Sequence, residues 1–178
     1  MSLQDYLFSK PELRGKRILL RPLKPSDVQD LRSWTTDKSL YKYWGKGPSK
    51  SDLNPELLFS KSERPVKSFH WGIVLLSNNK VIGDCWVYLI ENNRQATVAF
   101  RVASAYQGCG YAAEALQCAT AFCFSKTELQ RLQAGVDVNN HASYKTLERA
   151  GFSREGLIRQ GKLVNTFCDY YLYGLLKP

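Results

Sequence analysis

The apolar positions of this chain fall into short runs and helical repeats, divided by polar stretches rich in glycine, proline, asparagine and serine. KRILLRPL (Lys16 to Leu23) reads as a strand ended by Pro22 and Pro25, after which Ser26 or Asp27 caps a helix running to about Trp34. KYWGKGPSKSD is a loop, and Ser51 or Asp52 caps a second short helix with Pro55 in its first turn. FHWGIVLL (Phe69 to Leu76), VIGDCWVYLI (Val81 to Ile90) and QATVAFRV (Gln95 to Val102) form a three-strand meander turned by SNNK and ENNR. Ala112, Leu116, Ala119 and Phe122/Cys123 recur at helical spacing up to about Lys126. LQRLQAGVDV returns as a strand. Asn140 to Ala150 makes another helix, with Gly151 as its left-handed C-cap. FSREGLI and FCDYYLYGLL close the chain as strands. The pattern predicts one mixed α/β domain over residues 1–178, without internal repeats.

Composition narrows the function classes. Hydrophobic residues make up 44% and charged residues 23%, as in a soluble globular protein, and no apolar run approaches the ~20 residues of a membrane span. MSLQDYLFSK lacks the basic and apolar regions of a signal peptide. Five cysteines without CxxC spacing point to free thiols in a reducing cytoplasm. With two histidines, His70 and His141, and no HExxH pair, no metal site is expected. A net charge of +9 suits a phosphorylated cofactor, an acidic substrate or nearby rRNA, although the bases are scattered as on an ordinary solvated surface.

The chemistry centres on YQGCGYAAEAL, Tyr106 to Leu116, where two glycines lead directly into a helix. Such a turn presents free N–H groups and the positive end of the helix dipole to an anion. Gly108-x-Gly110-x-x-Ala113 satisfies a dinucleotide fingerprint, with Asp137 where a ribose-binding acid would stand. Against that reading, ASAYQ separates Val102 from Gly108, and the roughly 40 residues after Asp137 cannot build the remaining βαβ units.

Gln107-x-x-Gly110-x-Ala112 resembles the acetyl-CoA loop of the GNAT N-acetyltransferases. Asn140-x-x-Ser143 with Gly151-Phe152, RILLRPLKPSD near the start and DYYLYGLL at the end are similar to the ribosomal-protein N-terminal (Rim-type) branch. The resemblance implies a GNAT fold: a twisted, mostly antiparallel sheet of six to seven strands with helices on both faces. It implies acetyl-CoA as cosubstrate, its pyrophosphate on the amides of Gln107, Gly108, Cys109, Gly110, Tyr111 and Ala112. It also implies that Val98–Val102 splays from Leu132–Val138, that the backbone of Phe100, Arg101 and Val102 holds the pantetheine arm, and that Asn140 bonds to that arm. Ser143 would donate to the sulfur.

The chain departs from the family at two positions. Thr97 stands where a glutamate base often lies, and Leu147 where many relatives have a tyrosine acid. Replacement bases are Asp84, Glu91 and His70. Trp34, Tyr41, Tyr43 and Trp44 either line an acceptor pocket or pack in the core. The acceptor implied is an amine, a protein N-terminus or a small amine, with ribosome association in the first case. A cytoplasmic monomer or homodimer is expected, without membrane contact. A CoA-binding module without catalysis is the alternative from a different class.

Overall fold

The computed structural model describes residues 6–7, 9, 11–59, 68–89 and 94–178. The chain runs through β1 (Leu13–Arg14) and β2 (Ile18–Arg21), then a 3-10 turn at Pro25–Asp27 leading into α1 (Val28–Arg32). A second such turn (Lys38–Tyr41), α2 (Lys50–Leu53) and a third turn (Pro55–Phe59) precede the meander β3 (Ser68–Leu75), β4 (Val81–Leu89) and β5 (Gln95–Val102). A turn at Ser104–Tyr106 enters α3 (Tyr111–Lys126). Then come β6 (Arg131–Asp137), α4 (His141–Arg149), β7 (Ser153–Leu163) and β8 (Thr166–Leu176). The strands form one sheet in the order β1-β2-β3-β4-β5-β6-β8-β7, in which β5 and β6 run parallel and the other pairs antiparallel.

The sheet has eight strands rather than six or seven, because Leu13 and Arg14 pair with Leu20 and Leu19. The first expected helix stops at Arg32. Asp27 does not cap it. Its carboxylate instead accepts from both terminal nitrogens of Arg21, at 2.7 and 2.8 Å, in a buried pair. The second helix is capped by Ser49, with Asp52 completing the box three residues on. It ends at Leu53 because Asn54, preceding Pro55, takes an extended conformation (φ −136°, ψ 83°). Ile90 to Asn93, which include Glu91 and most of the ENNR turn, lie outside the described residues.

Period-2 alternation places the core. In β6, Leu132, Ala134 and Val136 are buried while their neighbours are half exposed. They meet Leu116, Ala119, Phe122 and Cys123 of α3 and Leu147 of α4 in the main core. Burying a leucine such as Leu116 or Leu147 is worth about 1.5–3 kcal/mol. Leu31, Trp34, Val74, Val81 and Ala103 form a smaller core on the opposite face. Helices therefore cover both faces. Asn140 accepts from the Ser143 N–H at the start of α4. At its end Gly151 (φ +96°) and Phe152 donate to the carbonyls of Glu148 and Leu147, closing the helix.

Candidate active site

β5 and β6 pair over only three residues, Gln95↔Arg131, Ala96↔Leu132 and Thr97↔Gln133. Beyond them β5 stays on β4 as far as Gly83↔Val102, and β6 stays on β8 as far as Asp137↔Tyr170. Each strand is held on its outer edge, so the inner edges of Val98–Val102 and Ala134–Asp137 open as a cleft in mid-sheet. Backbone groups along such edges need a partner, and an extended molecule carrying its own amides can supply one.

The glycine turn lies beyond the C-terminal end of β5. Gly108 (φ +76°) and Gly110 (φ +83°) both occupy the left-handed region, where a side chain is disfavoured. A Cβ on Gly108 would meet no atom within 4 Å, so the space beside the turn is open. Among the described residues, the N–H groups of Gly108 through Ala113 donate to no backbone carbonyl, and the first helical bond of α3 runs from Glu114 to Gly110. Gln107 braces the turn, its side-chain amide donating to the Val102 carbonyl at 2.9 Å. Arg17 supports it from behind, bonding to the Cys109 carbonyl and to Glu114 and lying 4.7 Å from the Tyr111 ring centroid. Free amides at the start of a 16-residue helix suit a pyrophosphate.

α4 begins at the far end of β6. The Asn140 oxygen caps this helix, while its NH2 group has no partner among the described residues. Ser143, half-buried, likewise keeps a free hydroxyl. Leu147 is fully buried in the core, so no acid stands at that position.

On the other face of the sheet a chamber of about 260 Å³ lies between the β3–β5 surface and residues 31–58. Arg101 occupies its floor. The guanidinium donates to both oxygens of Asp84 (2.9 and 2.7 Å), to Asp52 (2.8 Å) and to the Tyr41 hydroxyl (2.8 Å). The rings of Trp34, Tyr41, Trp44 and Trp86 surround it with centroids at 5.0–5.5 Å. Burial alone would lower the arginine pKa, but the Asp84 charge and hydrogen bonds outweigh it and raise it. Burial pushes the Tyr41 phenol up. Burial also opposes ionisation of Asp52, yet Ser49 and Arg101 hold its carboxyl below the usual range. His70 stacks on Trp86 at 4.7 Å, its Nε2 lying 3.4 Å from Asp84.

The mouth of the cleft on this face is bordered by the segment 42–47. Tyr43 donates to the Asn139 carbonyl, Asn165 of the β7–β8 hairpin donates to the Trp44 carbonyl, and the Gly45 backbone touches Thr166 so closely that a Cβ would collide. A larger, shallower groove of about 930 Å³ runs along the outer side of α3 against β1 and the turn after it, and its Arg17 and Glu114 satisfy each other.

The turn, Phe100–Val102, Asn140 and Ser143 thus border one cleft. Asp84 lies on the chamber face of the sheet as the counter-ion of Arg101. Glu91 is outside the described residues. Trp34 and Tyr41 are buried, while Tyr41 and Trp44 also line the chamber. Sequence reasoning assigned Asp52 only to a helix cap and gave Arg101 only a backbone role. Its one available signal was an arginine in QATVAFRV whose neighbours Phe100 and Val102 pack with the core. No three His, Cys, Asp or Glu side chains cluster as metal ligands among the described residues, and no helix there is long and apolar enough to cross a membrane. All five cysteines are free.

Comparison with known proteins places this geometry. The acetyltransferase (GNAT) domain family matches residues 17–153. The "Probable N-acetyltransferase YjcK" of Bacillus subtilis is 26% identical over 180 residues, covering 93% of this chain and 97% of that relative. The crystal structure of spermidine N-acetyltransferase from Vibrio cholerae, in complex with CoA and spermine, has a TM-score of 0.76 at 20% identity, covering 92% of this chain and 97% of the other. Ribosomal-protein-S5-alanine acetyltransferase from Vibrio fischeri has a TM-score of 0.77 at 20% identity, covering 94% and 97%.

Proposed function

This chain belongs to the GNAT acetyltransferase family, and on that premise we propose that its acceptor is a protein N-terminal α-amino group, as in the Rim-type branch. It is an acetyl-CoA-dependent N-acetyltransferase. Acetyl-CoA, when bound, supplies the thioester that an amine attacks. The amides of residues 107 to 112 take the pyrophosphate, those of Gly108 to Ala112 being unengaged. The β5 edge at Phe100–Val102 takes the pantetheine arm, and the free NH2 of Asn140 donates to the same arm. The Ser143 hydroxyl lies on the helix stripe of Asn140 and Leu147; it would donate a hydrogen bond to the departing sulfur and relay to it the proton that the attacking amine gives up.

The observation that carries the α-amine reading is that, among the described residues, every carboxylate beside the cleft is already engaged. On the acceptor face β5 presents Thr97, Ala99 and Arg101. The carboxylates at hand are engaged, Asp84 by Arg101 and Asp137 by Asn139. An α-amino group, with a pKa of ~7.7–8.0, is about one-seventh neutral at pH 7, whereas a lysine at ~10.4 is neutral about 0.04% of the time. An acceptor that is already partly neutral suits this site. The +9 charge favours approach to rRNA, which fits a ribosomal protein as the bearer of that amine.

A second reading, a small amine, is favoured by the contacts between segment 42–47 and the β7–β8 hairpin, which narrow the mouth. The test is a peptide carrying a free N-terminus and one internal lysine, incubated with acetyl-CoA at pH 7 beside spermidine and sequenced by mass spectrometry. Acetylation at the α-amine is expected. Faster modification of the lysine, or of spermidine alone, rejects the proposal.

A further inference from the structure

The hydrogen bonds among the chamber's buried groups are already complete. Asp84 gives both oxygens to Arg101, and Asp52 gives one to Arg101 and one to Ser49. Tyr41 accepts from Arg101 and donates to the Thr35 carbonyl at 2.6 Å. No buried side-chain polar atom of the described residues lacks a partner. A polar group entering the chamber would give up water and find these donors and acceptors occupied. Arg101 and the exposed Lys46 balance Asp52 and Asp84, so no net charge favours a cation or an anion. An apolar group, by contrast, gains contact with Leu31, Tyr41, Trp44, Leu58 and Trp86.

Size and position restrict the occupant further. At about 260 Å³ the chamber is smaller than the ~300–1,000 Å³ of sites that enclose a whole ligand. It suits one side chain. On its floor Trp86 is the cross-strand partner of Ala99, and Asp84 of Arg101. The chamber therefore starts about one strand spacing, ~4.8 Å, from the open edge of β5. That is within reach of a side chain borne on the same Cα as an amine reacting at that edge.

We propose that this chamber is the subsite for the first side chain of the acceptor, and that it selects a medium-sized apolar residue, leucine or methionine, over small or charged ones. The inference rests on the α-amine reading above. Trp44 and Trp86 both line the chamber, their ring centroids 6.1 Å apart. Leu58, partly exposed, closes the outer side.

The test compares kcat/KM for peptides identical except for the first residue (Leu, Met, Ala, Ser, Lys or Asp), with spermidine as a further acceptor. Leu- and Met-first peptides are expected to exceed Ala- and Ser-first ones about ten-fold or more, the discrimination a few buried methylenes provide. Leu58→Trp, which fills the chamber, should bring that ratio close to one. A flat series, or preference for Ser, Lys or Asp, overturns the subsite and leaves the α-amine reading standing. Turnover of spermidine with no reaction of any peptide overturns both.

Discussion

Asp84→Ala tests how dry the floor of the chamber is. The Asp84 side chain is 2% exposed and that of Arg101 6%. The substitution deletes contacts of 2.9 and 2.7 Å to Arg101 and one of 3.4 Å to His70. The guanidinium is left with Asp52 and Tyr41. Removing one partner of a buried ion pair costs about 3–5 kcal/mol. Because Asp52 remains at 2.8 Å as a second counter-charge, the lower end is expected, about 3 kcal/mol. For a chain of this length each kcal/mol moves Tm by roughly 2–4 °C, so calorimetry at neutral pH should show a fall of about 6–12 °C. The double variant Asp84→Leu/Arg101→Met removes the buried pair but also takes the Arg101 contact from Asp52, so it should recover only part of the loss, and the two substitutions should be non-additive. A wet, screened pair would instead be worth at most about 1 kcal/mol. A fall below about 4 °C, with the two substitutions simply additive, would refute the buried-pair reasoning.

Gly110→Val forces a β-branched residue to φ +83° at the anion turn. About 1–3 kcal/mol of strain and roughly a ten-fold rise in KM for acetyl-CoA are expected, and an unchanged KM counts against the turn as the pyrophosphate site. Acid stability should follow Asp27 and Asp52, whose carboxyls are held below the ordinary value despite burial, by Arg21 in the first case and by Ser49 and Arg101 in the second. Their stabilisation is complete above the unfolded pKa of ~3.9 and drains as pH falls through the folded values; denaturation midpoints between pH 6 and 2 should show this, with a shallower acid limb in Asp27→Asn. Ser143→Ala should lower kcat about 100-fold while leaving Tm in place, because the hydroxyl has no partner among the described residues; an unchanged kcat removes it from proton transfer.

Much of the fold was legible because local signals agreed with tertiary packing. The alternation in QATVAFRV and the turn at SNNK placed strands to within a residue, and Gly151 marked its helix end. Errors arose where side chains were used over distance. Asp27 reads as a cap locally but is claimed by Arg21 across the turn, and Asp52 reads as a cap yet also meets Arg101, 49 positions away in sequence. The residues proposed for the cleft came from the resemblance, since the glycines, Asn140 and Ser143 sit at fixed offsets from helix starts. The chamber was visible only in part, through Tyr41 and Trp44 as candidate lining, because it is assembled from α1, segment 38–58 and three strands, and no local pattern encodes their meeting.

Thermal shift with acetyl-CoA, CoA and NAD(P)H in parallel tests the cleft most directly. Ligand at 100 times its dissociation constant adds about 2.7 kcal/mol, or roughly 5–11 °C for this chain. The account predicts such a shift with acetyl-CoA and CoA, reduced to about half in Gly110→Val at the same ligand concentration, and none with the nicotinamides. A shift with a nicotinamide alone, or none with CoA, would contradict it.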